Sequence, residues 1–569
     1  MKTRKRIVNS ILVCYLTLVA LVNISSGQSS EDSLITKVDE IFAEWDKPNS
    51  PGCVCAVIQD GEIIYKNGFG MANLEYNVAL SPESVFYIAS TSKQFTAASI
   101  VLLALSNKIS LDSGIRKYIP EMPEFADSIS IRHLIHHTSG IRDHFRLLGM
   151  AGFSDRDYFN NEMIIKLLSR QKALNFKPGE EHLYSNSNYA LMAEIIKRVS
   201  GKSLRDFAQE NIFTPLGMKN THFDDNFRMI VKNRVSSYGK NEDGSFFRYL
   251  KSFDGVGDGN LLTTVGDLNR WDRNFYDYKL GGSQFVNLLL TSGKLNNGKE
   301  LDYAFGLVNG EYRGLITVSH GGAFKGFKTQ LMRFPEQRFS VAVLCNLSSI
   351  NPTALAKQVA DLYLADKMKP GESENGSEPL ITRKEVDIAP SIYDEFVGEY
   401  KLESGLILTF TKENDRLMGQ LTGQPKVKLF PESETKFFLK VVDAQLLFQR
   451  DENGKVTRVI FYYYGQEMPA TRIESATHLV PDEMTEFVGE YYSEELDTKY
   501  SLILKEGKLV AQHSKLDDIP LTYLEFDQFD GGVWFMQQID FIRDENSKIV
   551  GFHVSSGRVK NLRFDKTDR

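Results

Sequence analysis

The chain has 569 residues, too many for one core, and the length suggests three or four domains. Hydrophobic residues make up 42% and charged residues 25%, a globular balance that excludes a low-complexity or fibrous chain. The formal charge is −7 with no Lys/Arg cluster past the N-terminus, which argues against nucleic acid and anionic lipid as partners.

Lys2, Arg4, Lys5 and Arg6 precede a mostly apolar run, Ile7 to Val22, followed by the small residues Ser25 and Gly27. The pattern predicts an export signal over residues 1–27 and a periplasmic or secreted protein, with a membrane tether only if the signal is not cleaved. The run is short for a membrane span, and no later segment reaches spanning length. Without its four basic residues the signal leaves an acidic protein, the charge moving from −7 to −11.

"LITKVDEIFAEW" has helical periodicity, and "GCVCAVIQDGEIIYKNGFG" reads as two strands turning at Asp60-Gly61. Cys53 and Cys55 share one face of the first strand and cannot easily pair with each other, so buried core thiols are expected. No CxxC or His/Cys spacing suggests a metal, and no cofactor is expected. Ser90 to Leu105 reads as a buried helix. Helical stretches such as "ALMAEIIKRV" follow, then the strands "GLITVSHGG", "FKTQLMRF" and "FSVAVLCN" and a last helix, "PTALAKQVADLYLAD". Strands at both ends with helices between predict one α/β (α+β) domain over 31–368, its terminal strands sharing a sheet.

Residues 369–389 are rich in Pro, Gly, Ser and Glu and read as a linker. Beyond it come short alternating strands and a hairpin at Asn453-Gly454. "EFVGEY" occurs at Glu395–Tyr400 and Glu486–Tyr491, and "RDEN" at Arg450–Asn453 and Arg543–Asn546, at nearly one offset. Two small antiparallel β-barrel (lipocalin-like) domains are therefore predicted, over 390–474 and 480–569.

"YIASTSKQF" holds a serine and a lysine three apart, a spacing that lets Ser90 and Lys93 touch on one helical face. A serine needs a nearby base to attack a carbonyl, and the first turn of a helix favours developing negative charge. The motif alone decides little. It recurs at Ser169/Lys172, Ser237/Lys240 and Ser433/Lys436, and a serine opening a helix is usually a cap. Two later features single out this copy. "YSNSNYAL" offers Tyr184 and Asn186 before a helix, and "SHGGAF" puts His320, Gly321 and Gly322 at a strand end. His136 and His137 in "LIHHTSG" read as structural, as does Asp267 in the first turn of a helix.

"FYIASTSKQFTA", "YSN" and "HGG", with "FKPGEEHLYSNSNYALMAEIIKRVSGKS" and "GDGNLLTTVGDLNRW" between them, resemble the serine β-lactamases and penicillin-binding proteins, near class C. The likeness spans about Asp39 to Asp366 and implies a β-lactamase/transpeptidase-like fold and a serine hydrolase working through an acyl-enzyme. It makes Ser90 the nucleophile, Lys93 its activating partner, Tyr184 the general base and acid, and Asn186 a substrate contact. His320 and Gly322 would flank the substrate channel, and the N–H groups of Ser90 and Ala323 would form the oxyanion hole. "HGG" departs from the family's lysine-threonine-glycine, which weakens carboxylate recognition. With the two barrels, it resembles the D-aminopeptidases instead. Small peptides containing D-residues are the expected substrates. Short acyl esters, β-lactams, or non-catalytic binding of cell-wall fragments are the alternatives.

Overall fold

The computed structural model describes residues 33–567, apart from 155, 242, 370–384, 403–405, 422–425, 440–443, 464–465 and 474–483. The predicted signal and most of the predicted linker lie outside the described residues. No described helix is long and apolar enough to cross a membrane.

Six antiparallel strands form the central sheet: β1 (Cys53–Gln59), β2 (Glu62–Phe69), β3 (Val308–Tyr312), β4 (Leu315–Phe324), β5 (Phe327–Phe334) and β6 (Phe339–Cys345). Their spatial order is β3-β4-β5-β6-β1-β2. The first and last strands of the domain thus pair in mid-sheet, as the layout of the sequence predicts. Asp60 (φ 53°) and Gly61 (φ 80°) make the left-handed turn between β1 and β2.

Strand β1 is buried on both faces from Cys53 to Ile58, which is why "CVCAVI" shows no polar alternation. One face packs under a helix holding Val38 and Phe42 and under the helix Pro352–Leu364. The other packs against the helix Val265–Asp277. α1 (Lys93–Leu105), with ten residues from Lys93 to Leu103 buried, belongs to the same continuous core. The expectation of buried core thiols holds for Cys55 and is corrected at Cys53. Cys53 and Cys345 face each other across β1 and β6 and form a disulfide, leaving Cys55 as a buried free thiol. The partner lies 292 residues away, on a strand whose register no local pattern reveals.

Each half of the C-terminal region is a nearly closed nine-stranded antiparallel barrel. Counting strands from each barrel's own first, both have the order 4-3-2-1-9-8-7-6-5, open between strands 4 and 5. The repeated words mark equivalent contacts. The hydroxyls of Tyr400 and Tyr491 donate to the carbonyls of Phe396 and Phe487 (3.1 and 2.8 Å). Asp451 and Asp544 each take two backbone N–H bonds that close the hairpin turn. Arg450 pairs with Glu395, and Arg543 with Glu486.

The first barrel has its own core, whereas the second shares one continuous core with the catalytic domain. The second docks on α2 (His144–Met150). Arg142 and Glu495 form a buried ion pair at 2.6 Å, and the Arg142 guanidinium also donates to the carbonyls of Lys560 and Asn561. Tyr500 donates to the Met150 carbonyl. A side chain at Gly149 would strike Phe535, and one at Gly152 would strike His513.

Candidate active site

The predicted helix start needs correcting. Ala89–Ser92 is a 3-10 turn, α1 begins at Lys93, and no side-chain cap bond opens either element. Ser90 therefore does not cap the helix. Ala89, just before it, is buried with φ 46°, a left-handed conformation costly for a residue with a Cβ and held here by packing.

Lys93 is wholly buried. Its Nζ lies 3.2 Å from Ser90 Oγ, 2.9 Å from Asn186 Oδ1 and 2.5 Å from the Asp258 carbonyl oxygen. Two of these partners can only accept. Held by these two acceptors, Nζ is fixed facing the Ser90 hydroxyl, within reach of its proton. The other three Ser-x-x-Lys copies are engaged otherwise. Ser169 and Ser237 donate to the carbonyls of Lys166 and Lys325, and Ser433 accepts from turn amides.

Asn186 begins α3 (Asn186–Ser200). Its backbone N–H and Nδ2 both donate to Asp143 Oδ2 at 2.8 Å, while Asp143 Oδ1 caps α2 through the Phe145 N–H. Asn186 is thus braced between Lys93 and Asp143, with one Nδ2 hydrogen left for a ligand. Asp143 was not singled out in the sequence. The D-H-F start of a helix was its only signal, and that is a capping signal.

The Tyr184 ring centre lies 4.9 Å from Lys93 Nζ, but its hydroxyl is buried without a hydrogen bond among the described residues. The structure places Tyr184 beside the serine–lysine pair and does not join its oxygen to Ser90. His137 stacks 4.1 Å from this ring and, through Nδ1, accepts from the Ser185 N–H. Together with His136, which contacts the Tyr303 carbonyl, it has the structural role expected.

His320 Nδ1 lies 2.6 Å from the Gly321 carbonyl and so carries the proton, leaving Nε2 to accept from the Tyr303 hydroxyl at 3.1 Å. Burial, then the charge of Lys93, pulls its pKa down to about 4 against the opposing Gly321 bond, so the ring is neutral at pH 7. A Cβ on Gly322 would lie 2.3 Å from the Ile88 carbonyl oxygen and 2.5 Å from Thr329 Oγ1. Glycine here lets β4 press against the turn that carries Ser90. Ala323 pairs with Lys328 on the part of β4 beyond β3 and lines the cleft. Asp267 takes bonds from Asn220, Thr221 and Arg270 in the first turn of its helix, away from the cleft.

Ser90, Tyr184, Asn186, His320 and Ala323 border a cleft of about 860 Å³ that the second barrel helps to wall, through Trp534 and Arg558. Neither residue was signalled by the sequence. Among the described residues no His/Cys/Asp/Glu group could hold a metal ion.

A serine on a tight turn, a buried lysine one turn on, a tyrosine just before a second helix, an asparagine at that helix's start and a glycine-bearing strand define the serine hydrolases of the penicillin-recognition fold. The chain belongs to the beta-lactamase family, whose model matches residues 38–365; a domain of unknown function, DUF3471, matches 382–474, across the first barrel. The chain is 30% identical over 433 residues to penicillin-binding protein 4* of Bacillus subtilis (strain 168), covering 73% of this chain and 93% of that one. It is 24% identical over 538 residues to a D-aminopeptidase of Brucella melitensis biotype 1, covering 91% and 96%. An octameric penicillin-binding protein homologue from Pyrococcus abyssi shares the fold, with a TM-score of 0.54 at 24% identity over 77% of this chain and 99% of that one. Family and relatives make this chain a serine hydrolase.

Proposed function

We propose that the protein is an exported peptidase or amidase that cleaves short peptides, including those with D-residues, through an acyl-enzyme on Ser90. The observation that carries this reading is the buried Lys93 Nζ, 3.2 Å from Ser90 Oγ and oriented by two obligate acceptors. Lys93 takes the serine proton as Ser90 attacks the carbonyl, and the N–H groups of Ser90 and Ala323 hold the oxyanion. Tyr184 gives a proton to the leaving nitrogen and recovers one from Lys93, which holds the serine proton, and Asn186 uses its spare hydrogen on the substrate carbonyl. Water then releases the acyl group.

Penicillin-binding and D-aminopeptidase relatives support the substrate class, and a neutral His320 favours it over substrates needing a cation at that strand. The Cys53–Cys345 disulfide supports export, because such bonds persist in oxidising compartments. The test is turnover of D-aminoacyl amides, p-nitrophenyl esters and a β-lactam by wild type and Ser90→Ala. Serine-dependent amide hydrolysis is expected. Ester turnover alone would make the protein an esterase, and no turnover of any would leave a binding protein.

A further inference from the structure

The neutral His320 and Gly321 leave β4 without a cation for a substrate carboxylate, yet a guanidinium enters the cleft from another domain. We propose that Arg558, on the hairpin turn between Ile549–Ser556 and Val559–Thr567 of the second barrel, binds a carboxylate on the leaving-group side of the substrate. This deepens the peptidase reading and rests on it.

Arg558 is held in place by its backbone. Its carbonyl accepts from the Asp143 N–H at 3.2 Å and from Asn175 Nδ2 at 2.9 Å, while Asn175 Oδ1 accepts from the Lys560 N–H at 2.7 Å. The turn is thus clamped to the catalytic domain at Arg558 and again at Lys560. The guanidinium is not used up by these contacts. Its carbon lies 4.8 Å from the Tyr184 ring centre, and its nearest carboxylate oxygen, Asp143 Oδ2, is 3.8 Å away, beyond hydrogen-bond reach. That oxygen already accepts two bonds from Asn186. The Arg558 side chain keeps 42% of its exposure, on the cleft wall.

A second guanidinium reinforces the sign. Arg146 stacks 4.8 Å over Trp534 and donates to Ser556 Oγ at 3.3 Å, flanking the same turn. The wall above Tyr184 therefore presents two arginines, one of them with its planar fork free. That fork suits a carboxylate, which it can grip with two parallel bonds. Tyr184 faces the leaving group in the proposed reaction, so the carboxylate belongs to the departing residue, at its C-terminus or on its side chain.

The experiment compares kcat/KM for a D-aminoacyl-D-alanine dipeptide and its C-terminal amide in wild type, Arg558→Ala and Arg558→Lys. A second pair, with D-glutamate amide or D-glutamine amide leaving, separates side-chain from C-terminal carboxylates. Wild type is expected to favour an acid about 10- to 100-fold, as for a charged hydrogen bond. Arg558→Ala should bring the ratio near one, and Arg558→Lys should retain part of it. Because each ratio is taken within one variant, a general loss of folded protein cancels. No acid preference in wild type, or a preference that survives Arg558→Ala, overturns the proposal. If no peptide is cleaved, the peptidase reading fails separately. Slowing of fluorophosphonate labelling at Ser90 by D-alanine over D-alaninamide, in wild type but not Arg558→Ala, then decides the role of Arg558.

Discussion

Arg142 and Glu495 meet at 2.6 Å with 2% and 5% of their side chains exposed, one from the catalytic domain and one from the second barrel. Removing one member of such a pair leaves a buried charge unmatched, at a cost of about 3–5 kcal/mol. Arg142→Met should therefore lower the thermal midpoint and loosen the second barrel, measured by calorimetry and limited proteolysis. An unchanged midpoint would show that the pair does not hold the docking surface.

The two glycines of "HGG" should not be equivalent. A Cβ at Gly321 meets the end of the flexible Gln330 side chain at 2.9 Å, whereas one at Gly322 meets the Ile88 carbonyl at 2.3 Å. Overpacking costs about 1–3 kcal/mol and here falls on the turn carrying Ser90. Gly322→Ala should lose about 100-fold in kcat/KM, and Gly321→Ala less than tenfold. Equal losses would count against the packing role of Gly322.

Breaking the Cys53–Cys345 disulfide should cost about 2–4 kcal/mol, since it closes a long loop of the unfolded chain. Cys345→Ser should lower the unfolding free energy from urea titration by that amount, and a reducing agent should do the same to wild type alone. Unaltered stability in both would mean that the bond does not form in solution.

Much of the architecture was legible because its signals are local. Asp60 and Gly61 form a left-handed turn, and Gly454 supplies the positive φ of a turn that Asp451 closes, so both turns follow from local residues. The repeated words could be read as two equal domains because each copy makes its Tyr-to-carbonyl and Asp-turn contacts within its own barrel. Ser90, Lys93 and Asn186 were legible through their motifs, and the structure joins them through Lys93. What stayed hidden depends on partners far apart in sequence. The Cys345 partnership, the brace from Asp143 and the entry of Arg558 over Tyr184 are set by strand register and domain docking, which leave no periodic trace. The idea of Ser90 as a helix cap failed because a strained turn at Ala89 precedes the helix.

Acid should destabilise the protein through its buried histidines. His320 and His136 are both lowered from 6.5 to about 4, chiefly by burial. Between those values the unfolded chain binds protons that the folded state refuses. Their stabilising contribution is therefore complete above about pH 6.5 and is lost as pH falls towards 4, on the order of 3 kcal/mol each. Urea midpoints measured from pH 7 to 4 should fall steadily, and His136→Gln should flatten the slope. A flat profile in wild type would contradict the buried, neutral state of these rings.

The central claim is that Lys93 activates Ser90, and covalent labelling tests it most directly. Intact-mass and peptide-mapping spectrometry after fluorophosphonate treatment should find one adduct, on the peptide containing Ser90. It should be absent in Ser90→Ala and should form at least 100-fold more slowly in Lys93→Met, within the range expected for loss of a positioned base. An adduct elsewhere, or labelling of Lys93→Met at the wild-type rate, would contradict the account.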